Sequence, residues 1–104
     1  MLIRYDQESQ AAYIKLLDSK VIESEEIAPG IVYDFDVKDK IRGIEFYRLD
    51  SLSREEFINL NLPLQLRDKE IIETCLFSLS KLTPKFTIFF GKESPNLSAF
   101  SKTA

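Results

Sequence analysis

Glu25-Glu26-Ile27-Ala28-Pro29-Gly30-Ile31-Val32-Tyr33-Asp34-Phe35-Asp36 ends a loop, makes a turn and launches a strand. Pro29-Gly30 suits the central positions of a type II turn, where glycine supplies the positive φ. Beyond it, Ile31, Tyr33, Phe35 and Val37 alternate with Val32, Asp34 and Asp36, the period of a strand with two unlike faces. Lys38-Asp39-Lys40 then predicts a tight connection, with Asp39 able to take a positive φ, and Ile41 to Arg48 runs back as the next strand. The register of this hairpin stays open, because a one-residue change in the loop exchanges the faces of Ile44 and Phe46.

Upstream, Leu2 to Asp6 and Ala12 to Leu17 are short runs of β-formers around the polar Gln7-Glu8-Ser9-Gln10, which predicts a hairpin. Asp18 to Glu26 carries charges without periodicity and reads as a loop. Residues 2–51 are thus expected to form a four-stranded antiparallel β-meander.

After Asp50 the period changes. Ser53-Arg54-Glu55-Glu56 is a capping box for a short helix over Arg54 to about Leu60, which Pro63 stops. Asp68 is a second cap, and Ile72, Cys75, Leu76, Leu79 and Leu82 follow at helical spacing. Thr83-Pro84 ends that helix, and Lys85 to Phe90 reads as a fifth strand with Phe86, Ile88 and Phe90 on one face. The expected fold is α+β, one domain over residues 1–104: the meander at 2–51, a helical extension with a terminal strand at 53–91, and a flexible tail at 92–104.

Composition narrows the function classes. At 104 residues with 44% hydrophobic and 30% charged side chains, the chain can bury a core without staples. One cysteine allows no internal disulfide, no apolar run is long enough to span a membrane, and the first residues are unlike a secretory signal, so the expected compartment is the cytoplasm. Residues 1–51 hold 7 basic and 11 acidic side chains, a balance that repels phosphate backbones and argues against direct nucleic-acid binding.

Candidate chemistry is sparse. Asp34, Asp36, Asp39 and Glu45 could approach one another and hold Ca²⁺ or Mg²⁺, but calcium-loop spacing is absent and the expected role of these carboxylates is a solvated hairpin face, so no metal site is assigned. Cys75 sits on the apolar helix stripe as a small hydrophobe, and without histidine no Cys-His nucleophile exists. Tyr5, Tyr13, Tyr33 and Tyr47 fall in the expected strands, where cross-strand packing accounts for them.

Tyr5-Asp6, Ala12-Tyr13-Ile14-Lys15-Leu16, Glu25 to Gly30, Asp34-Phe35-Asp36 and Gly43-Ile44-Glu45, in this order and spacing, resemble the small prokaryotic domain-of-unknown-function family 2283 across residues 2 to about 51. Family members often carry Asp where Gln10 stands and Gly where Asp39 stands. The resemblance implies a short antiparallel sheet, a bacterial or archaeal source and no established activity. Some members sit beside small toxin-like proteins, which implies an antitoxin-like role as an alternative. The leading expectation is a non-enzymatic protein, without cofactor, that works through protein contacts as a homodimer. Its candidate interaction residues are Phe86, Ile88 and Phe90, because an aromatic strand at a sheet edge templates pairing. A metal- or small-ligand-binding role is the remaining alternative.

Overall fold

The computed structural model describes residues 1–91; the tail expected over 92–104 lies outside them. Six antiparallel strands form one sheet: β1 (Leu2–Asp6), β2 (Ala11–Lys15), β3 (Glu23–Ala28), β4 (Ile31–Phe35), β5 (Ile41–Phe46) and β6 (Lys85–Phe89). Helices α1 (Arg54–Ile58) and α2 (Leu66–Phe77) cover one face of it. The α+β class, the antiparallel N-terminal strands and the later strand are as expected.

The spatial order is β3-β4-β5-β2-β1-β6, so the strands do not follow one another as a simple meander. The β1–β2 hairpin lies beside a β3–β4–β5 meander, and β5 runs along β2 with Ala12 opposite Phe46 and Ile14 opposite Ile44. Turn chemistry specifies only neighbours within a hairpin. The joint between hairpin and meander comes from burying Ile14, Ile44 and Phe46, all 0–1% exposed, against the helices.

The stretch from Asp18 to Glu26, expected to be loop, contains β3. Glu23, Ser24, Glu25, Glu26 and Ile27 are all exposed, so burial imposes no alternation on them. Backbone pairing with β4 alone makes this an edge strand. The turn joining β3 to β4 is the expected one: Gly30 has φ +78°, and its N–H donates to the Glu26 carboxylate at 3.0 Å. A Cβ at Gly30 would lie 2.8 Å from the Tyr47 carbonyl oxygen. Gly30→Val is therefore expected to cost more than about 1 kcal/mol, read as a lower denaturant midpoint; an unchanged midpoint would refute the turn.

Asp34 and Asp36 correct the expectation of a solvated face, being 3% and 4% exposed. Asp36 Oδ1 accepts from the N–H groups of Lys38 and Lys40 at 2.9 and 3.0 Å, and Oδ2 accepts from the Ser19 hydroxyl at 2.7 Å. The carboxylate is the frame of the β4–β5 turn, in which Asp39 has φ 62°. These bonds hold its pKa below the ordinary aspartate value, the Lys40 amide contributing most.

The capping box is present in full: Ser53 Oγ accepts from the Glu56 amide and the Glu56 carboxylate accepts from the Ser53 amide. Helix α2 starts two residues before Asp68, on Gln65, and Asp68 sits in its first turn. After Ser78 the chain tightens into a 3₁₀ turn at Leu79–Lys81, which throws Leu82 off the expected stripe to 82% exposure. Ile72, Cys75 and Leu76 are buried as the stripe requires.

The core lies between sheet and helices. Phe57 of α1 is fully buried, with ring centroids 5.8 Å from Phe46 of β5 and 5.7 Å from Phe77 of α2. Three elements, β5, α1 and α2, meet at that ring.

Candidate functional site

Strand β6 lies at the outer edge of the sheet, paired with β1 from Leu2 opposite Phe89 to Asp6 opposite Lys85. Two backbone bonds define which of its groups face inward. Phe90 N–H donates to the Met1 carbonyl at 2.6 Å, and Gln7 N–H donates to the Pro84 carbonyl at 2.8 Å. In an antiparallel pair these directions alternate residue by residue. Pro84, Phe86, Ile88 and Phe90 therefore turn their main-chain groups toward β1, while Lys85, Thr87 and Phe89 turn theirs outward, along an edge with no strand beside it among the described residues.

The side chains follow the same parity. Phe86, Ile88 and Phe90, the residues expected to make the interface, point to the helix side and are half-buried against the core; Phe86 packs on Tyr5 with centroids 5.3 Å apart. They belong first to this chain's own sheet. The free surface is the backbone edge itself, with Lys85, Thr87 and Phe89 on the uncovered face, all exposed, Phe89 at 64%. Those three residues were missed because only the pairing partner of β6 reveals which of its amides are bare.

The uncovered face also carries a polar cluster. The β4–β5 register shifts between Asp34 and Phe35, which leaves Arg42 without an opposite residue on β4. A Cβ at Gly43 would overlap the Tyr13 ring, 2.5 Å from Cζ: the tyrosine lies across the glycine and covers it. The Arg42 guanidinium sits over that ring, 5.5 Å from its centroid, and donates to the Tyr13 hydroxyl. Beneath them, Asp34 Oδ1 accepts from the Ser24 hydroxyl at 2.6 Å.

Of the four carboxylates weighed for metal binding, Asp34 and Glu45 come together and Asp36 turns away to its own loop. Among the described residues no group of three or more His, Cys, Asp or Glu could hold a metal ion. The Asp34 carboxyl hydrogen-bonded beside Glu45 pushes the Glu45 pKa up, with burial adding to it. Tyr47, one residue past β5, donates to Glu45, and that bond pushes its own pKa up to about 12. In solution one tyrosine should accordingly titrate near 12 by ultraviolet absorbance. Glu45→Gln should return it toward the ordinary 10.0, and a high-pH phase unchanged in that variant would remove Glu45 as the cause.

A group whose pKa is raised in the folded state stabilises the fold below its ordinary value and loses that contribution as pH rises through the raised one. Glu45 and Tyr47 therefore contribute fully below their ordinary values and lose that contribution as pH rises above them. Asp36, with its pKa lowered, stabilises above its ordinary value, and that contribution is lost as pH falls through the lowered one.

A concavity of about 620 Å³ opens where the β3–β4 turn meets α1. Its floor is Ile31, Phe46, Leu52 and Leu60, and Arg48 stands on its rim in a left-handed backbone conformation, φ 60°. The Arg48 guanidinium pairs loosely with Asp50 at 3.6 Å.

With an antiparallel sheet under two helices and a bare edge strand, this is a small α+β protein with a surface suited to strand pairing. Residues 2–49 match the model of a family described as Protein of unknown function (DUF2283). The match takes in β1 to β5 and stops before the helical layer and β6. No curated protein and no solved structure matches the chain. No helix among the described residues is long and apolar enough to cross a membrane.

Proposed function

We propose that this chain is a non-enzymatic interaction module of the prokaryotic cytoplasm that joins protein chains by strand addition at β6, with a second copy of itself as first partner. The observation that carries the reading is the run of outward main-chain groups at Lys85, Thr87 and Phe89 beside an exposed phenylalanine. An edge of this kind is a template for another strand unless charge, proline or a bulge blunts it. Lys85 is the one charge on β6, enough to limit open-ended growth while leaving a closed pair.

Chemistry by the side chains is poorly supported. The chain has no histidine, and burial pushes the Cys75 thiol up, away from the reactive thiolate. A buried free thiol also suits a reducing compartment.

Sedimentation velocity over a concentration series tests the proposal. The mass of the wild type is expected to move from monomer toward dimer. Thr87→Pro, which deletes an outward amide and leaves the inward ladder to β1 intact, should stay monomeric with the same far-ultraviolet dichroism. A wild type that remains monomeric at the highest concentration reached would contradict the homodimer.

The opposite edge supports a second reading. Exposed Glu23 and Glu25 on β3 suit a basic partner such as a small toxin, by charge complementarity. Weakening of such a complex by salt, with no effect of Thr87→Pro, would assign it to β3.

A further inference from the structure

We propose that the second copy docks in one defined register: β6 against β6, antiparallel, about a two-fold axis through Thr87, so that two sheets of six strands become one continuous sheet. This rests on the strand-addition reading above and specifies its geometry.

Parity restricts the register. Outward groups are at Lys85, Thr87 and Phe89, so a partner strand must place its own outward residues opposite these. Shifts by one residue of the partner strand put outward groups against inward ones and pair nothing. Among the permitted alignments, only the one centred on Thr87 engages all five residues of β6. Centring on Phe86 would set Phe89 opposite Thr83, and centring on Ile88 would set Lys85 opposite Gly91, both beyond the strand. Centring on Lys85 would bring two ammonium groups face to face, which is destabilising.

With the axis at Thr87, Thr87 meets its counterpart, and Lys85 stands opposite Phe89 of the second copy on the uncovered face. The exposed ring thereby gains a cation beside it, a favourable pairing that also separates the two lysines. On the helix side, Phe86 falls opposite Ile88 of the second copy and Ile88 opposite Phe86 of the second copy. Residues half-buried in one chain then form a single apolar seam across two. A closed, isologous pair results, with the same patch contributed by both chains.

Cysteine cross-linking reads the register directly. A hydrogen-bonded antiparallel pair has Cα atoms about 5.5 Å apart, within disulfide reach. Under mild oxidation Thr87→Cys should convert largely to a covalent dimer on a non-reducing gel. Lys85→Cys alone and Phe89→Cys alone should not, whereas the two variants mixed should cross-link to each other. Native Cys75 is buried, so the wild type serves as the control and should stay uncross-linked.

Sedimentation run in parallel separates the possible failures. A wild type that dimerises while Thr87→Cys fails to cross-link overturns the register and leaves strand addition standing. A wild type that stays monomeric overturns both. Self-cross-linking of Lys85→Cys alone, without Thr87→Cys, would place the axis at Lys85 and overturn the inference.

Discussion

Phe57→Ala is expected to lower stability by roughly 3–5 kcal/mol, the range for truncating a buried phenylalanine and leaving a cavity. The ring is fully buried between Phe46 in the sheet and Phe77 in α2. Helix α1 spans only Arg54–Ile58, too short to hold together without such packing. Loss of the ring removes contacts on both sides at once, and neither neighbour can close the gap without leaving the other. Chemical denaturation should show a lower midpoint with little change in slope. Ile58→Ala, at a neighbouring side chain 50% exposed, should shift stability by no more than about 0.5 kcal/mol. Equal losses in the two variants would mean that Phe57 does not join the layers.

A chain stopped after Leu52 is expected to lose cooperative unfolding altogether. Of the thirteen buried hydrophobic residues among those described, Phe57, Leu62, Ile72, Cys75 and Leu76 lie beyond that point. At roughly 1.5–3 kcal/mol per large apolar side chain, their burial is comparable with the whole stability of a small domain, roughly 5–15 kcal/mol. The shortened chain would also uncover Ile3, Ile14, Ile44 and Phe46 and leave β1 without β6. Heating should give a broad, sloping transition, and a hydrophobic dye should bind. A sharp two-state melt with no dye binding would mean that residues 2–49, the family-matched part, complete their own core.

Much of the fold was legible wherever burial or turn chemistry imposed a pattern. Alternation from Ile31 marked β4, Pro29-Gly30 marked its turn, and Ser53 with Glu56 marked the start of α1. Strand β3 was illegible because its side chains face solvent, so neither period nor hydropathy distinguishes it from a loop. The order of strands was hidden for a different reason: the β2–β5 joint is non-local, and no short motif encodes it.

The site was legible in part. Phe86, Ile88 and Phe90 were correctly placed together on one face, yet that face is turned to the chain's own core. The outward groups belong to Lys85, whose carbonyl also accepts from the Thr83 hydroxyl at 3.2 Å, and to Thr87 and Phe89, and they follow only from knowing that Met1 pairs with Phe90. Asp34 and Asp36 looked like a solvent-facing pair because strand alternation opposes them to Tyr33 and Phe35. Tyr13 and Arg42 folding over Gly43, together with Ser19 and Ser24, bury them instead. A glycine inside a β-forming run is the signal that could have warned of it.

Amide hydrogen exchange at β6, followed in dilute and in concentrated solution, tests the strand-addition account most directly. Exchange is slowed where an amide is hydrogen-bonded and opens only with the structure that holds it. Thr87 and Phe89 are expected to exchange quickly when dilute and to become protected as concentration rises, while Phe86 and Ile88, already bonded to β1, are protected throughout. Thr87 and Phe89 amides that exchange at the same fast rate at every concentration, in a protein whose mass nonetheless doubles, would place the contact elsewhere and contradict the account.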